Sequence, residues 1–228
     1  MDEAGLRARL EPVLELLRTD PASLTSVRDP ARAWQVHVVD SLTGLDLVGN
    51  PGAIADIGAG AGFPGLVLAV ALPTARVDLI ESVRRKCEFI ERAAAAAALD
   101  NTRAVCERAE DWARLAAPDG GREAYEVVTA RAVGRLATLA ELAAPLLAPD
   151  GLLVAWKGRR DREEEAELAR AEGPTAMGLE RVEAVGDQAG SRHRHLYAIR
   201  KLGPTPVDLP RRAGVAKKRP FGASRRNG

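Results

Sequence analysis

The sequence predicts an α/β fold built around a mostly parallel β-sheet. Short apolar runs typical of strands alternate with helical periodicity between residues 53 and 172. The first of these strands passes through a glycine-rich turn into a helix. Two strand-like segments near 180–185 and 195–200, separated by Gly186-Asp187, have the length and turn of a closing hairpin. This alternation favours a parallel sheet that ends in an antiparallel pair.

Length and composition indicate a single globular unit. The chain has 228 residues, of which 46% are hydrophobic and 29% charged, enough to bury one complete core. Cys87 and Cys106 are too few for a secreted disulfide framework, and they lack metal-site spacing. No apolar run reaches the ~18 residues that a membrane span needs. We therefore expect a monomeric cytoplasmic protein that binds neither membrane nor metal.

Three regions follow from the pattern along the chain. Helical spacing at 6–18 and 31–47 predicts an N-terminal helical cap over residues 1–50, and residues 51–208 form the core, so that 1–208 make one domain. His37 falls on the second cap helix, where we expect a surface or capping histidine.

Residues 209–228 form a basic C-terminal tail. The formal net charge of the chain is only +1, yet this tail has seven basic residues and no acidic one. It is either a phosphate contact or a solvated extension. The basic residues are Arg211, Arg212, Lys217, Lys218, Arg219, Arg225 and Arg226.

The glycine-rich turn is the main candidate for a ligand site. Glycines at 58, 60, 62 and 65 let backbone amides approach a ligand, and the following helix adds partial positive charge at its N-terminus. A strand, a tight turn and a helix in this order suit the polar end of a cofactor.

Two cofactor classes compete for this turn. Gly60, Gly62 and Gly65 match the dinucleotide pattern G-x-G-x-x-G, with Glu81 about 20 residues further on. However, Asp56 would then repel a pyrophosphate. If the turn instead starts at Gly58, Asp56 suits the cationic amino-acid end of S-adenosylmethionine. Glu81 can accept hydrogen bonds from ribose hydroxyls in both cases.

Other candidates lie at the carboxyl ends of later strands, where ligands of such sheets bind. Ala109 and Glu110 follow the third strand and could flank an adenine, or simply begin a helix. Arg131 and Lys157 are cations that end the fourth and fifth strands. For Arg131, functional and structural roles are both open at this point.

Several stretches together resemble one family, the bacterial 16S rRNA guanine-N7 methyltransferases of the glucose-inhibited-division-B type. Ser23 stands where this family usually has Asn. The matching pieces, in family order, are Leu24-Thr25, Arg28-Asp29-Pro30, His37 with Asp40-Ser41-Leu42, the stretch from Asp56 to Gly65, Ala109-Glu110, Ala130-Arg131-Ala132, Lys157-Gly158, and the stretch from Pro210 to Pro220.

The resemblance implies a class I S-adenosylmethionine-dependent methyltransferase fold, Rossmann-like, with a mostly parallel seven-stranded sheet and an antiparallel last strand. It implies 16S rRNA or the small ribosomal subunit as acceptor. Cofactor contacts are implied at Gly58, Phe63, Ala109, Glu110 and Arg131, beside Asp56, Gly60 and Glu81 from the residue patterns.

Guanine N7 has an in-plane lone pair and no proton, so its methylation needs no general base. The chain accordingly lacks the Asn/Asp-Pro-Pro-Tyr/Phe motif of amino-methylating enzymes, and neither cysteine follows a proline. Arg131 and Lys157 are the candidate catalytic cations, meeting guanine O6 or a phosphate. The two rival hypotheses are a nicotinamide-dependent oxidoreductase and a non-catalytic RNA-binding protein.

Overall fold

A seven-stranded sheet forms the centre of the molecule. The computed structural model describes residues 2–21, 24–27, 29–186 and 193–223. The strands are β1 (Ala53–Ile57), β2 (Arg76–Ile80), β3 (Thr102–Val105), β4 (Tyr125–Arg131), β5 (Leu147–Lys157), β6 (Met177–Val185) and β7 (Arg194–Lys201).

Helices cover both faces of this sheet. They are α1 (Glu3–Thr19), α2 (Pro30–Ala33), α3 (Asp40–Leu42), α4 (Leu45–Val48), α5 (Gly65–Ala71), α6 (Arg84–Ala96), α7 (Ala109–Trp112), α8 (Leu136–Ala143), α9 (Arg162–Thr175) and α10 (Val215–Lys218), with a π-helical turn over Trp34–Val39.

The strand order is β3-β2-β1-β4-β5-β7-β6. Neighbours from β3 to β5 are parallel, whereas β7 runs antiparallel to both β5 and β6. The predicted fold class is therefore confirmed. The chain leaves β1 towards β2 and β3 and then returns to place β4 on the other side of β1. This reversal is the point at which open α/β sheets bind their ligands, beyond the carboxyl ends of the strands.

The two faces of the sheet build two apolar clusters. In β1, Ile54 packs with α1, α5, α6 and the cap, whereas Ala55 and Ile57 pack with α7, α8 and α9. Successive side chains of a strand point to opposite faces, so a strand covered on both sides reads as a continuous apolar run. That continuous run made the first strand predictable.

The prediction of one continuous helix over 31–47 was wrong. The segment is divided into α2, the π-helical turn, α3 and α4. A Cβ at Gly44 would lie 2.2 Å from Trp156 Cζ2, so the glycine lets the cap backbone approach β5 closely. Trp156 Nε1 donates to the Asp40 carbonyl oxygen at 2.8 Å. Packing against β5 thus overrides the helical periodicity of the sequence.

The segment after residue 208 is anchored to the domain as far as residue 223. Leu209 and Ala216 are buried, and Thr138 Oγ1 donates to the Ala216 carbonyl oxygen at 3.3 Å. Arg211 forms an ion pair with Glu141 of α8. Of the residues discussed above, Ser23, Arg28, Asp187, Arg225 and Arg226 lie outside the described residues.

None of the described helices combines the length and the apolar character that a membrane crossing requires. In the same part of the chain, no three His, Cys, Asp or Glu side chains gather in a way that could hold a metal ion.

Candidate active site at the carboxyl edge of the sheet

The glycine turn has the backbone geometry that its sequence predicts. Gly58 and Gly60 adopt φ values of +64° and +62°, in the left-handed region that glycine tolerates best. A Cβ at Gly58 would lie 2.7 Å from Val133 Cγ2 in the loop after β4. The glycine therefore serves both the turn and the close packing of two loops at the point where the strand order reverses.

Asp56 lies beneath this turn rather than at its surface. The side chain is fully buried, accepting hydrogen bonds from Gly65 N at 3.0 Å and from Thr129 Oγ1 at 2.9 Å. Burial raises the pKa of Asp56 to about 6, against the lowering effect of these hydrogen bonds. The structure thus shows a carboxyl group that fixes the N-terminus of α5, directly behind the turn where the sequence predicts a cofactor contact.

Glu81 lies at the carboxyl end of β2, where the sequence predicts a ribose acceptor. Its Oε2 accepts from Gly60 N at 3.1 Å and its Oε1 from Val83 N at 2.9 Å, while Lys86 Nζ lies 3.6 Å from Oε2. The side chain is largely buried and lines a cleft. Backbone amides thus hold a negative group at the rim of the turn.

This cleft has a volume of about 130 Å³. It brings the predicted residues Gly58, Glu81, Ala109 and Glu110 together between the ends of β1, β2 and β3. Its lining residues are Ile57, Gly58, Ile80, Glu81, Ser82, Glu107, Arg108, Ala109, Glu110, Val133 and Leu142. A larger cleft of about 410 Å³ lies between α1 and residues 25, 27 and 30–35, but the glycine turn and the strand ends do not line it.

Glu110 has a partner that the sequence did not suggest. Its Oε1 accepts from Gly214 N at 2.7 Å, so the C-terminal segment packs against the wall of the cleft. The side chain that is predicted to accept a hydrogen bond from adenine therefore also anchors the C-terminal segment.

Arg131 joins the end of β4 to the cap. Its Nη1 donates to the Val36 carbonyl oxygen and to Asp40 Oδ2, both at 3.0 Å. The guanidinium carbon lies 5.7 Å from the centre of the Phe63 ring. Burial lowers the pKa of Arg131, and the charge of Asp40 opposes that effect. Arg131 thus has a structural role, since it links β4 to the cap. It also lies next to the glycine turn, where a functional role would place it.

His37 is half-buried rather than at the surface as expected. Its ring stacks on Phe63 with the ring centres 4.9 Å apart, and its Nε2 lies 3.2 Å from Thr25 Oγ1. Burial, and to a smaller extent the charge of Arg131, lower the pKa of His37 to about 4. The ring is therefore neutral at pH 7.

Lys157 was predicted as a catalytic cation, but its ammonium group is already paired within the protein. It donates to Glu164 Oε1 at 2.7 Å and to the Gly134 carbonyl oxygen at 2.6 Å. Glu164 Oε1 also accepts from Leu136 N at 3.2 Å. Lys157 therefore joins the loop after β4 to α9.

The five basic residues predicted to bind RNA divide into two groups. Arg211 is directed inwards, paired with Glu141 and lying 3.9 Å from the centre of the Phe221 ring. It anchors the C-terminal segment to α8. The side chains of the other four are exposed and form no ion pair within the described residues: Arg212, Lys217, Lys218 and Arg219.

Sequence reasoning missed Arg194 and the central position of Asp40. Arg194 Nε lies 3.3 Å from Asp40 Oδ1, so Asp40 is placed between two guanidinium groups. Asp40 appeared only within the family resemblance, and no local pattern marked Arg194. Their proximity depends on the pairing of β7 with β5. In that antiparallel register His195 lies opposite Lys157, so Arg194 reaches the same edge of the sheet.

The described residues fit an adenosine-containing sulfonium cofactor. Glu81 supplies a carboxylate at a strand end, Ile80 and Val133 are apolar lining residues, and Asp56 adds negative charge behind the turn.

Comparisons with known proteins show the family of this chain. The family model described as rRNA small subunit methyltransferase G matches residues 14–197. The curated protein of that name from Chloroflexus aggregans is 39% identical over 210 residues, covering 90% of this chain and 85% of the relative. Its namesake from Desulfitobacterium hafniense is 36% identical over 202 residues, covering 89% and 83%.

Solved structures show the same fold at low identity. A SAM-dependent methyltransferase from Aquifex aeolicus matches with a TM-score of 0.56 and 18% identity, covering 79% of this chain and 98% of that one. Geranyl diphosphate C-methyltransferase from Streptomyces coelicolor matches with a TM-score of 0.58 and 13% identity, covering 81% and 84%. The resemblance inferred from sequence is thus confirmed, against the nicotinamide oxidoreductase. The chain belongs to the GidB family, rRNA small subunit methyltransferase G, and S-adenosylmethionine is its methyl donor.

Proposed function

We propose that this methyltransferase acts on N7 of one guanine in 16S rRNA, by in-line attack without a general base. The observation that carries the proposal is the character of the groups around Phe63. Arg131 and Arg194 are cations, Asp40 is buried between them, and the pKa of His37 is about 4. A pKa of about 4 makes His37 too weak a base to be matched to proton removal at pH 7.

A reaction at N7 requires no such base. When bound, the cofactor would supply an electrophilic methyl group on a sulfonium. The lone pair of N7 would form the new bond to carbon, and the electron pair of the broken carbon–sulfur bond would stay on sulfur. No proton moves, and the base becomes cationic. The protein then contributes by positioning the two reactants. Holding N7 about 3 Å from the methyl carbon increases the rate through proximity and orientation.

We propose that groups around one turn hold the cofactor. In this proposal the backbone of Gly58 and Gly60 lies against the cofactor, and Glu81 accepts hydrogen bonds from the ribose hydroxyls. Ala109 and Glu110 flank the adenine. Phe63 and Arg131 lie towards the cap, where the acceptor must enter. Two observations support these residues as cofactor contacts. Gly58, Glu81, Ala109 and Glu110 line one cleft, and Gly60 N donates to Glu81 at its rim. Phe63 lies in the same glycine turn, with Arg131 5.7 Å from its ring centre.

The exposed side chains of Arg212, Lys217, Lys218 and Arg219 form the C-terminal basic surface. We propose that it contacts rRNA phosphates, because the cations are exposed and unpaired among the described residues. The segment that carries it is attached to Glu110 at the cofactor cleft and to Glu141 of α8. A phosphate contact at this surface therefore places the RNA beside the cofactor site.

The test is methyl transfer to small ribosomal subunits from a strain that lacks this gene. We expect labelled methyl groups in 16S rRNA, recovered as 7-methylguanosine after nuclease digestion and mass spectrometry. Naked 16S rRNA in parallel identifies the preferred substrate. Label in any other nucleoside would overturn the N7 assignment, and RNA binding without any transfer would favour the non-catalytic hypothesis.

A further inference from the structure

Unsatisfied polar atoms are concentrated in one place. Within residues 2–21, 24–27, 29–186 and 193–223, three buried side-chain polar atoms lack a hydrogen-bond partner: His37 Nδ1, Asp40 Oδ1 and Arg194 Nε. Asp40 Oδ1 and Arg194 Nε lie 3.3 Å apart, which is close enough for an ion pair, but they do not form a hydrogen bond with each other. Native proteins rarely leave such atoms unpaired, and such groups often mark a site that a ligand completes.

All three belong to one group of residues, which we term the cap cluster: Thr25, His37, Asp40, Phe63, Arg131 and Arg194. Asp40 pairs with both arginines, and Arg131 and His37 lie against the same Phe63 ring. The cluster lies between the cap and the carboxyl edge of the sheet, next to the glycine turn. His37 itself stands on the π-helical turn, an irregularity that is frequent at functional sites.

The hydrogen bonds around His37 are compatible with a proton on Nδ1. Val27 N donates to Thr25 Oγ1 at 3.1 Å, and the Thr25 hydroxyl, 3.2 Å from His37 Nε2, can donate its proton to that nitrogen. Neutral imidazole has one ring proton, which lies on Nδ1 when Nε2 accepts from Thr25. His37 Nδ1 is then an unpaired donor beside an aromatic ring, and it requires an acceptor.

We propose that the cap cluster receives the acceptor guanine and that His37 Nδ1–H donates to its O6. O6 lies beside the reacting N7, so a donor there positions the base without occupying the lone pair of N7. Adenine carries an amino group at this position, a second donor that a histidine donor cannot pair with. The same contact would therefore discriminate guanine from adenine.

The charge state of His37 suits this role. Methylation leaves N7 positively charged, and an imidazolium next to O6 would repel that charge in the transition state. Because burial keeps His37 neutral at pH 7, the cluster carries two arginines and one aspartate, without a third positive charge.

This inference rests on the proposed function, and its test separates the two. His37→Asn keeps a donor near the position of Nδ1, whereas His37→Gln moves its amide towards the position of Nε2. Each variant is assayed for kcat/KM on small subunits that lack the modification and for affinity to S-adenosylhomocysteine by calorimetry. Gln35→Ala, an exposed neighbour on the same π-helical turn, is the matched control.

We expect His37→Ala and His37→Gln to lose about tenfold in kcat/KM, the effect of one hydrogen bond. His37→Asn should recover most of that loss. Affinity for S-adenosylhomocysteine should change less than about twofold, which also shows that the variants are folded. Equal effects of His37→Asn and His37→Gln, or a loss of cofactor affinity that matches the loss of rate, would overturn the proposal.

The wild-type protein distinguishes the two failures. If it forms no 7-methylguanosine, the proposed function fails. If it forms 7-methylguanosine and all His37 variants do so equally well, only the inference about His37 fails.

Discussion

The guanidinium of Arg131 and the carboxylate of Asp40 lie 3.0 Å apart and join the end of β4 to the cap. Asp40 is fully buried and Arg131 nearly so, which makes this pair the polar link between the cofactor turn and the N-terminal helices. Arg194 shares the same carboxylate from β7. Three distant parts of the chain therefore meet at one acidic side chain.

We expect Asp40→Ala to lower the free energy of unfolding by about 3 kcal/mol, because it leaves two guanidinium groups without their counter-charge in a buried position. Urea denaturation monitored by tryptophan fluorescence measures this, with Trp34 and Trp156 both close to the cap. Glu3→Ala removes the exposed ion pair with Arg7 and should have a much smaller effect. A loss no larger than that of the control would show that the pair does not hold the cap.

Lys157 and Glu164 should behave as one unit in catalysis. We expect Lys157→Met and Glu164→Gln each to reduce kcat, because either change releases the loop that contacts Gly58 through Val133. The double variant should be no slower than the worse single variant, since the second change removes nothing further. Single-turnover transfer to small subunits measures all three. Additive losses would instead favour a direct catalytic contact of Lys157.

Glu81→Ala should weaken binding of S-adenosylmethionine by about 10- to 100-fold, the range expected when charge-assisted hydrogen bonds are lost. Isothermal titration calorimetry gives the dissociation constant directly. Glu88→Ala, on the exposed side of α6, removes the same charge away from the cleft. If both variants bind the cofactor equally well, Glu81 is not a ribose contact.

The C-terminal basic surface predicts a change in salt dependence. Alanine at any one of Arg212, Lys217, Lys218 or Arg219 should lower the slope of log affinity against log salt by about 0.7 to 0.9 if that residue contacts a phosphate. RNA binding measured at several salt concentrations provides the slopes. Arg181→Ala, on the opposite face of the sheet, is the control and should leave the slope unchanged. Arg211→Ala should act differently, by detaching the segment from Glu141.

Asp56 predicts how stability varies with pH. Its pKa rises from 3.8 to about 6 on folding, so the folded state holds this proton more tightly than the unfolded state. The stabilisation from this group is complete below pH 4 and is lost as pH rises through about 6. Relative to wild type, Asp56→Asn should therefore gain up to about 3 kcal/mol between pH 4 and pH 7. Unfolding at several pH values tests this, with Asp46→Asn as an exposed control.

A stability difference between Asp56→Asn and wild type that is flat across this range would contradict the raised pKa. It would also show that the hydrogen bonds from Gly65 N and Thr129 Oγ1 offset the cost of burying the charge.

Local features of the site were predictable from sequence because they depend on neighbours along the chain. The glycine turn, Glu81 at the end of β2 and Ala109-Glu110 after β3 each follow from a strand end and a short pattern. Arg131 and Lys157 were located correctly at strand ends, but their partners were not. Those partners lie on the cap, on the loop after β4 and on α9, and no local pattern brings them together.

Residue type and short-range spacing are sufficient to predict the alternation of strands and helices, the conformation of the glycine turn and the basic character of the C-terminus. They do not predict that Asp40 lies between Arg131 and Arg194, that Gly214 N donates to Glu110 or that His37 keeps an unpaired nitrogen. The physical reason is that these groups meet only when the strand order brings distant segments to one edge of the sheet, where burial sets their charge and their partners.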